Sequence, residues 1–128
     1  MDELPVLVVE DEAEVRNLIE DALREAGFGL AISGDAEHAI GALERPEAAF
    51  VALVTDIRLA AGGRTGWDVA RRARELNPAL PVVYMTGDAG SDWASEGVPN
   101  SILITKPFAP AQVVTAVSHL LNLASPSS

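Results

Sequence analysis

Phe50-Val-Ala-Leu-Val-Thr-Asp56 runs through five apolar residues and a threonine straight into a carboxylate. A strand with one wet face alternates apolar and polar residues, so an unbroken apolar run belongs to a strand covered on both faces. The pattern recurs in Pro5-Val-Leu-Val-Val9, Pro81-Val-Val-Tyr-Met-Thr86 and Ser101-Ile-Leu-Ile-Thr105. Phe28–Ser33 is a weaker fifth candidate, diluted by small residues, and is predicted at a sheet edge.

Amphipathic stretches separate these runs. Val15, Leu18, Ile19, Ala22, Leu23 and Ala26 repeat at helical spacing, and Gly27 supplies a stop. Ala36, Ala39, Ile40 and Leu43 follow Asp35, a candidate N-cap, and Pro46 closes that segment. Val69, Ala73 and Leu76 form a third stripe ended by Asn77-Pro78. Val113, Val117, Leu120 and Leu121 form the last, with Pro110 suited to a first turn. Residues 88–100, with Gly90, Gly97 and Pro99, predict at best a short, poor helix. Five strands alternating with five helical stretches give a (βα)5 chain, hence an open parallel sheet with right-handed crossovers and helices on both faces.

A length of 128 residues fits one domain of the usual size of about 150 residues, expected here over residues 1–123 with 124–128 as a short flexible tail. Nine Lys plus Arg against nineteen Asp plus Glu leave a net charge of −10, the wrong sign for direct nucleic-acid binding. Nine of the nineteen acids lie in residues 1–25, opposed there only by Arg16 and Arg24. The absence of cysteine excludes disulfides, thiolate metal sites and thiol nucleophiles. No segment has the roughly 18 apolar residues of a membrane span, and the apolar run at Val6–Val9 is too short for a secretion signal. A cytoplasmic protein without membrane insertion is expected. Met1 and the short tail suggest a complete small protein.

In open parallel sheets, chemistry gathers at the carboxyl ends of the strands. Here those ends carry Glu10-Asp11, Thr55-Asp56, Thr86-Gly87 and Thr105-Lys106. Carboxylates converging on one crevice repel, and a hard divalent cation with oxygen ligands, Mg²⁺ above all, is the natural compensator. Lys106, the sole lysine, offers a compact ammonium to a carboxylate or phosphoryl oxygen, and Thr86 adds a hydroxyl. Each feature has a plainer explanation. Asp11 followed by Glu14 also reads as a helix start, Asp56 as a loop starter and Lys106-Pro107 as a turn. The conjunction of four such ends in order outweighs them.

The series Val8-Val-Glu-Asp-Glu12, Leu53-Val-Thr-Asp-Ile57, Met85-Thr-Gly87 and Thr105-Lys-Pro-Phe108 resembles the receiver domain of bacterial response regulators over roughly residues 4–122. The resemblance implies a flavodoxin-like strand order 2-1-3-4-5. It implies Asp56 as phospho-acceptor, Thr86 as switch hydroxyl and Lys106 as the family's lysine. It further implies Mg²⁺ held by Glu10, Asp11, Asp56 and the backbone carbonyl of Arg58. The expected donor is a histidine kinase or histidine phosphotransfer protein, and the expected output is a changed contact with an unknown downstream protein, with a homodimer left open. Such a protein is a signalling switch that catalyses its own phosphorylation and dephosphorylation, not an enzyme acting on other substrates. The chain departs from the family pattern at Leu103, where an aromatic is usual three residues before the lysine, and in a longer loop after Asp56. Arg58 and Asp88 occupy the two positions that flank the acceptor crevice.

The alternative is a receiver-like interaction module or phosphate sink without a conventional output. FMN binding is disfavoured because Glu10-Asp11-Glu12 would repel a dianion, and an aspartate-based phosphatase because Arg58 replaces its second acid. Gly62, Gly63 and Gly66 read as a loop, His38 and His119 as surface histidines, and Trp67 as a packing residue. Trp93 is either a core anchor for a poor helix or a partner contact.

Overall fold

The computed structural model of the chain describes residues 4–59, 63–87 and 93–124. Gly62, Asp88 and Gly90 lie outside those residues, as does the tail after Ala124. Ten elements alternate: β1 (Leu4–Val9), α1 (Ala13–Glu25), β2 (Phe28–Ser33), α2 (Ala36–Glu44), β3 (Ala52–Asp56), α3 (Gly66–Leu76), β4 (Val82–Thr86), α4 (Trp93–Glu96), β5 (Ser101–Thr105) and α5 (Pro110–Ala124). The five strands are parallel, in the order β2-β1-β3-β4-β5, which is the flavodoxin-like arrangement the resemblance implies, with β2 at an edge. No described helix is long and apolar enough to cross a membrane.

The strands alternate two buried faces. Leu7, Val9, Leu53, Val82 and Tyr84 pack with α2 and α3 residues in one core. Val6, Val8, Ala52, Val54, Val83 and Met85 join α1 and α5 residues in the other. Every residue of β3 and β4 is buried, which is why their sequences show no polar alternate.

Two large stripe residues, Leu18 and Leu76, do not lie where helical spacing puts them, and Ala26 at the end of α1 is exposed as well. Leu18 is 56% exposed because α1 seats Ile19 and Leu23 on the sheet, and one residue's step of about 100° carries Leu18 off that face. Leu76, 45% exposed, ends α3 while Val69, Ala70 and Ala73 make the contact. The helix ends follow local chemistry more closely. Asp35 caps α2 by accepting from His38 N at 2.8 Å, and Gly27 takes the left-handed backbone (φ 96°) that stops α1. α1 itself has Glu12 as N-cap with no side-chain capping bond, so Asp11 is not the cap of this helix.

Candidate functional site

Strand register brings the four ends level. Val9 pairs with Thr55, Asp56 with Met85, and Thr86 with Thr105. Backbone bonds continue the ladder one residue beyond: Glu10 N donates to Ser33 O at 3.1 Å and Lys106 N to Thr86 O at 2.7 Å. Residues at and shortly beyond the strand ends line a common crevice of about 630 Å³, among them Asp11, Glu12, Asp56, Arg58, Gly87 and Lys106. A second depression of about 500 Å³ lies at the opposite, amino end of β4 and β5, and no carboxylate lines it.

Asp56, 5% exposed, is anchored at both carboxylate oxygens. Oδ2 accepts from Lys106 Nζ at 2.9 Å, and Oδ1 accepts from Arg58 N at 3.3 Å. Its backbone carbonyl accepts from Thr55 Oγ1 at 2.9 Å. Glu10 has no exposed surface. Its Oε2 accepts from Glu12 N at 3.0 Å, and its carbonyl accepts from Arg16 Nη1 at 3.0 Å. Oε1 makes no well-directed hydrogen bond, although Lys106 Nζ lies 3.3 Å away. Glu12 Oε1 is a third carboxylate oxygen near that ammonium, at 3.5 Å.

The electrostatics follow from burial. Desolvation, reinforced by the Asp56 charge, pushes the Glu10 carboxyl up to about 7, against the lowering effect of the Glu12 N–H and Lys106. Burial alone would lower Lys106, but the hydrogen bond and charge of Asp56, with Glu10 behind it, hold its ammonium above the ordinary lysine value.

Glu10, Asp11 and Asp56 each place a carboxylate oxygen within 4.8 Å of the other two, so one ion can reach all three. Hard oxygen donors of net negative charge, one of them a buried atom without a hydrogen bond, fit a small divalent cation. Thr86 is buried at the end of β4, and its neighbour Gly87 lines the crevice. The sequence reading thus named residues that the fold gathers, but missed Glu12, Arg16 and Gly66. Glu12 was visible as a third consecutive acid. Gly66, expected in a loop, instead opens α3, and a Cβ there would collide with the Asp56 carbonyl oxygen and stand 2.9 Å from its carbon.

The remaining singled-out residues have structural places. Trp67 is buried with its ring centroid 4.7 Å from that of Tyr84. His38 and His119 are both exposed, and His38 Nδ1 contacts Asp35 Oδ2 at 2.8 Å. Trp93, 37% exposed, donates from Nε1 to Ser101 Oγ at 2.9 Å.

The profile of the response regulator receiver domain matches residues 6–118. The probable transcriptional regulatory protein TcrX of Mycobacterium tuberculosis is 36% identical over 119 residues, covering 91% of this chain and 49% of TcrX. The transcriptional regulatory protein ResD of Bacillus subtilis is 30% identical over 128 residues, covering 98% of this chain and 51% of ResD. The chain thus spans about half the length of these curated relatives. A crystal structure of a response regulator receiver protein from Sinorhizobium medicae is 43% identical, with a TM-score of 0.92, covering 97% of this chain and 98% of that one.

Proposed function

Because the chain belongs to the response regulator receiver domain family, we propose that it takes a phosphoryl group onto Asp56 from a phosphohistidine. The donor is a histidine kinase or a histidine phosphotransfer protein. A carboxylate oxygen of Asp56 attacks phosphorus in line. An O–P bond forms, the P–N bond breaks, and the imidazole nitrogen leaves with the electron pair, giving an acyl phosphate on Asp56. Glu10, Asp11, Asp56 and the Arg58 carbonyl would hold Mg²⁺. When bound, that ion supplies positive charge to the transferring oxygens. The burial of Asp56 fixes the nucleophile, and the hydrogen bond at its Oδ2 puts Lys106 beside the incoming group. Lys106 then follows one phosphoryl oxygen and the Thr86 hydroxyl another. Their movement biases the surface after β4 and β5 toward a form that a downstream protein reads. A signalling switch acting through contact with that protein follows from this chemistry, and the cytoplasm is the compartment proposed for it.

One observation carries the reading: a nearly buried aspartate hydrogen-bonded to the chain's sole lysine and grouped with two more carboxylates. The test is phosphotransfer from histidine-phosphorylated, ³²P-labelled kinases and phosphotransfer proteins. Label should reach the parent, and it should be lost with Asp56→Asn or with EDTA. Label on Asp56→Asn, or equal transfer without divalent metal, would overturn the assignment.

A further inference from the structure

Glu10, Asp11 and Glu12 connect the end of β1 to the start of α1, and so short a connection needs something to fix its direction. Three contacts do so. Glu10 N donates to Ser33 O, Glu10 Oε2 accepts from Glu12 N, and Glu10 O accepts from Arg16 Nη1 at 3.0 Å. The last contact acts on the peptide that joins Glu10 to Asp11. Holding that carbonyl fixes the plane of the peptide and therefore the direction in which Asp11 leaves it. Arg16 reaches back from the first turns of α1, where its own N–H is tied to Glu12 O at 2.9 Å. A Cβ on Gly34 would lie 3.8 Å from Arg16 Nη1, so the guanidinium lies against the backbone at the end of β2.

From this geometry we infer that Arg16 is a positioning residue for the cation site, orienting Asp11 through the Glu10 carbonyl. The inference rests on the Mg²⁺ site of the proposed function. Its sign separates it from a simple charge effect. As a positive charge beside the acidic crevice, Arg16 opposes a divalent cation, so removing it should tighten binding. As the donor that holds the Glu10–Asp11 peptide, its removal should weaken binding. Hydrogen-bond partners behind metal ligands typically change affinity by about 10–100-fold.

The experiment is a Mg²⁺ titration of the full chain followed by tryptophan fluorescence and by amide NMR. The parent, Arg16→Ala, Arg16→Lys and Asp11→Asn are compared, and thermal unfolding of each in EDTA checks the fold. Arg16→Ala should bind Mg²⁺ about tenfold more weakly, in the direction of Asp11→Asn, and Arg16→Lys should recover part of the loss. If the parent binds and Arg16→Ala binds equally or more tightly, the positioning role is wrong while the site stands. If Arg16→Ala unfolds in EDTA, Arg16→Lys decides: affinity equal to the Asp11→Asn variant with a folded chain refutes rescue through the carbonyl. If the parent binds no Mg²⁺, the site and this inference fall together.

Discussion

Lys106 Nζ stands 2.9 Å from Asp56 and 3.3 Å from Glu10, and these two carboxylates give two residue-level predictions. The chain has one lysine, so amine-reactive labelling can modify only Lys106 and the amino terminus. Beryllofluoride with Mg²⁺, a stand-in for the phosphoryl group, should slow labelling of Lys106 and leave the terminal amine unchanged. Equal rates at Lys106 in both states would separate it from the proposed phosphorylation site at Asp56. Glu10 provides the second. Its proton is held up to about 7 in the folded chain, against an ordinary 4.5. Between those values the folded state binds more protons than the unfolded state, so the contribution of Glu10 to stability is full below 4.5 and is lost as pH rises through about 7. Lys106, raised when folded, contributes a constant amount in that window. In metal-free buffer, urea unfolding of the parent should therefore show stability falling between pH 4.5 and about 7, and Glu10→Gln should lack most of that fall. Parallel profiles would show that burial does not control this carboxyl.

At the scale of elements, the start of α3 packs against the end of β3. Gly66 N donates to Ile57 O at 2.8 Å, and the absence of a side chain lets the helix start against the Asp56 carbonyl. Gly66→Ala must push that backbone away, an overpacking cost of about 1–3 kcal/mol, readable by urea unfolding. It should also slow phosphorylation of Asp56, and a variant with parental stability would mean the helix start simply shifts. α4 is the opposite case, a four-residue helix too short to hold itself. The helix and the residues that follow it are pinned from outside. Tyr84 OH accepts from Val98 N at 3.1 Å, Ser101 Oγ donates to Val98 O at 2.7 Å, Arg71 pairs with Glu96, and Arg74 donates to Pro99 O and Asn100 O. Trp93 folds over Gly97, where any Cβ would strike the indole. Leu103 packs beside Tyr84 and has no ring to flip, so the response to phosphorylation is expected in this pinned segment. Amide exchange over residues 93–101 should slow with beryllofluoride and Mg²⁺. A change limited to the residues after Asp56 would contradict that route.

For the whole molecule, one sheet divides two cores, and β3 contributes to both with Leu53 on one side and Val54 on the other. Neither layer of helices has another surface to cover, so the cores should fail together. Leu53→Ala, at a site with no exposed surface, should cost about 2–5 kcal/mol. Its far-ultraviolet dichroism and tryptophan fluorescence should still trace one transition, because Trp67 packs in the same core as Leu53. Two separated transitions would show that the layers unfold independently.

The sequence by itself determined the (βα)5 order, the buried character of the central strands and the identity of the groups at their carboxyl ends. These are local properties: a strand covered on both faces must be apolar along its length, and its first polar groups come at the end, where Asp56 and Thr86 stand. Caps and stops at Asp35 and Gly27 were legible for the same reason. Tertiary structure alone decided which face of α1 and α3 is buried, leaving Leu18 and Leu76 in water. It also decided that Lys106 meets Asp56 fifty residues away, that Glu12 shares this ammonium, and that Arg16 and Gly66 close on the backbone around the acids. Such contacts depend on strand register, helix rotation and side-chain reach. A one-dimensional pattern fixes which residues alternate, but not which of them come within 3 Å of each other.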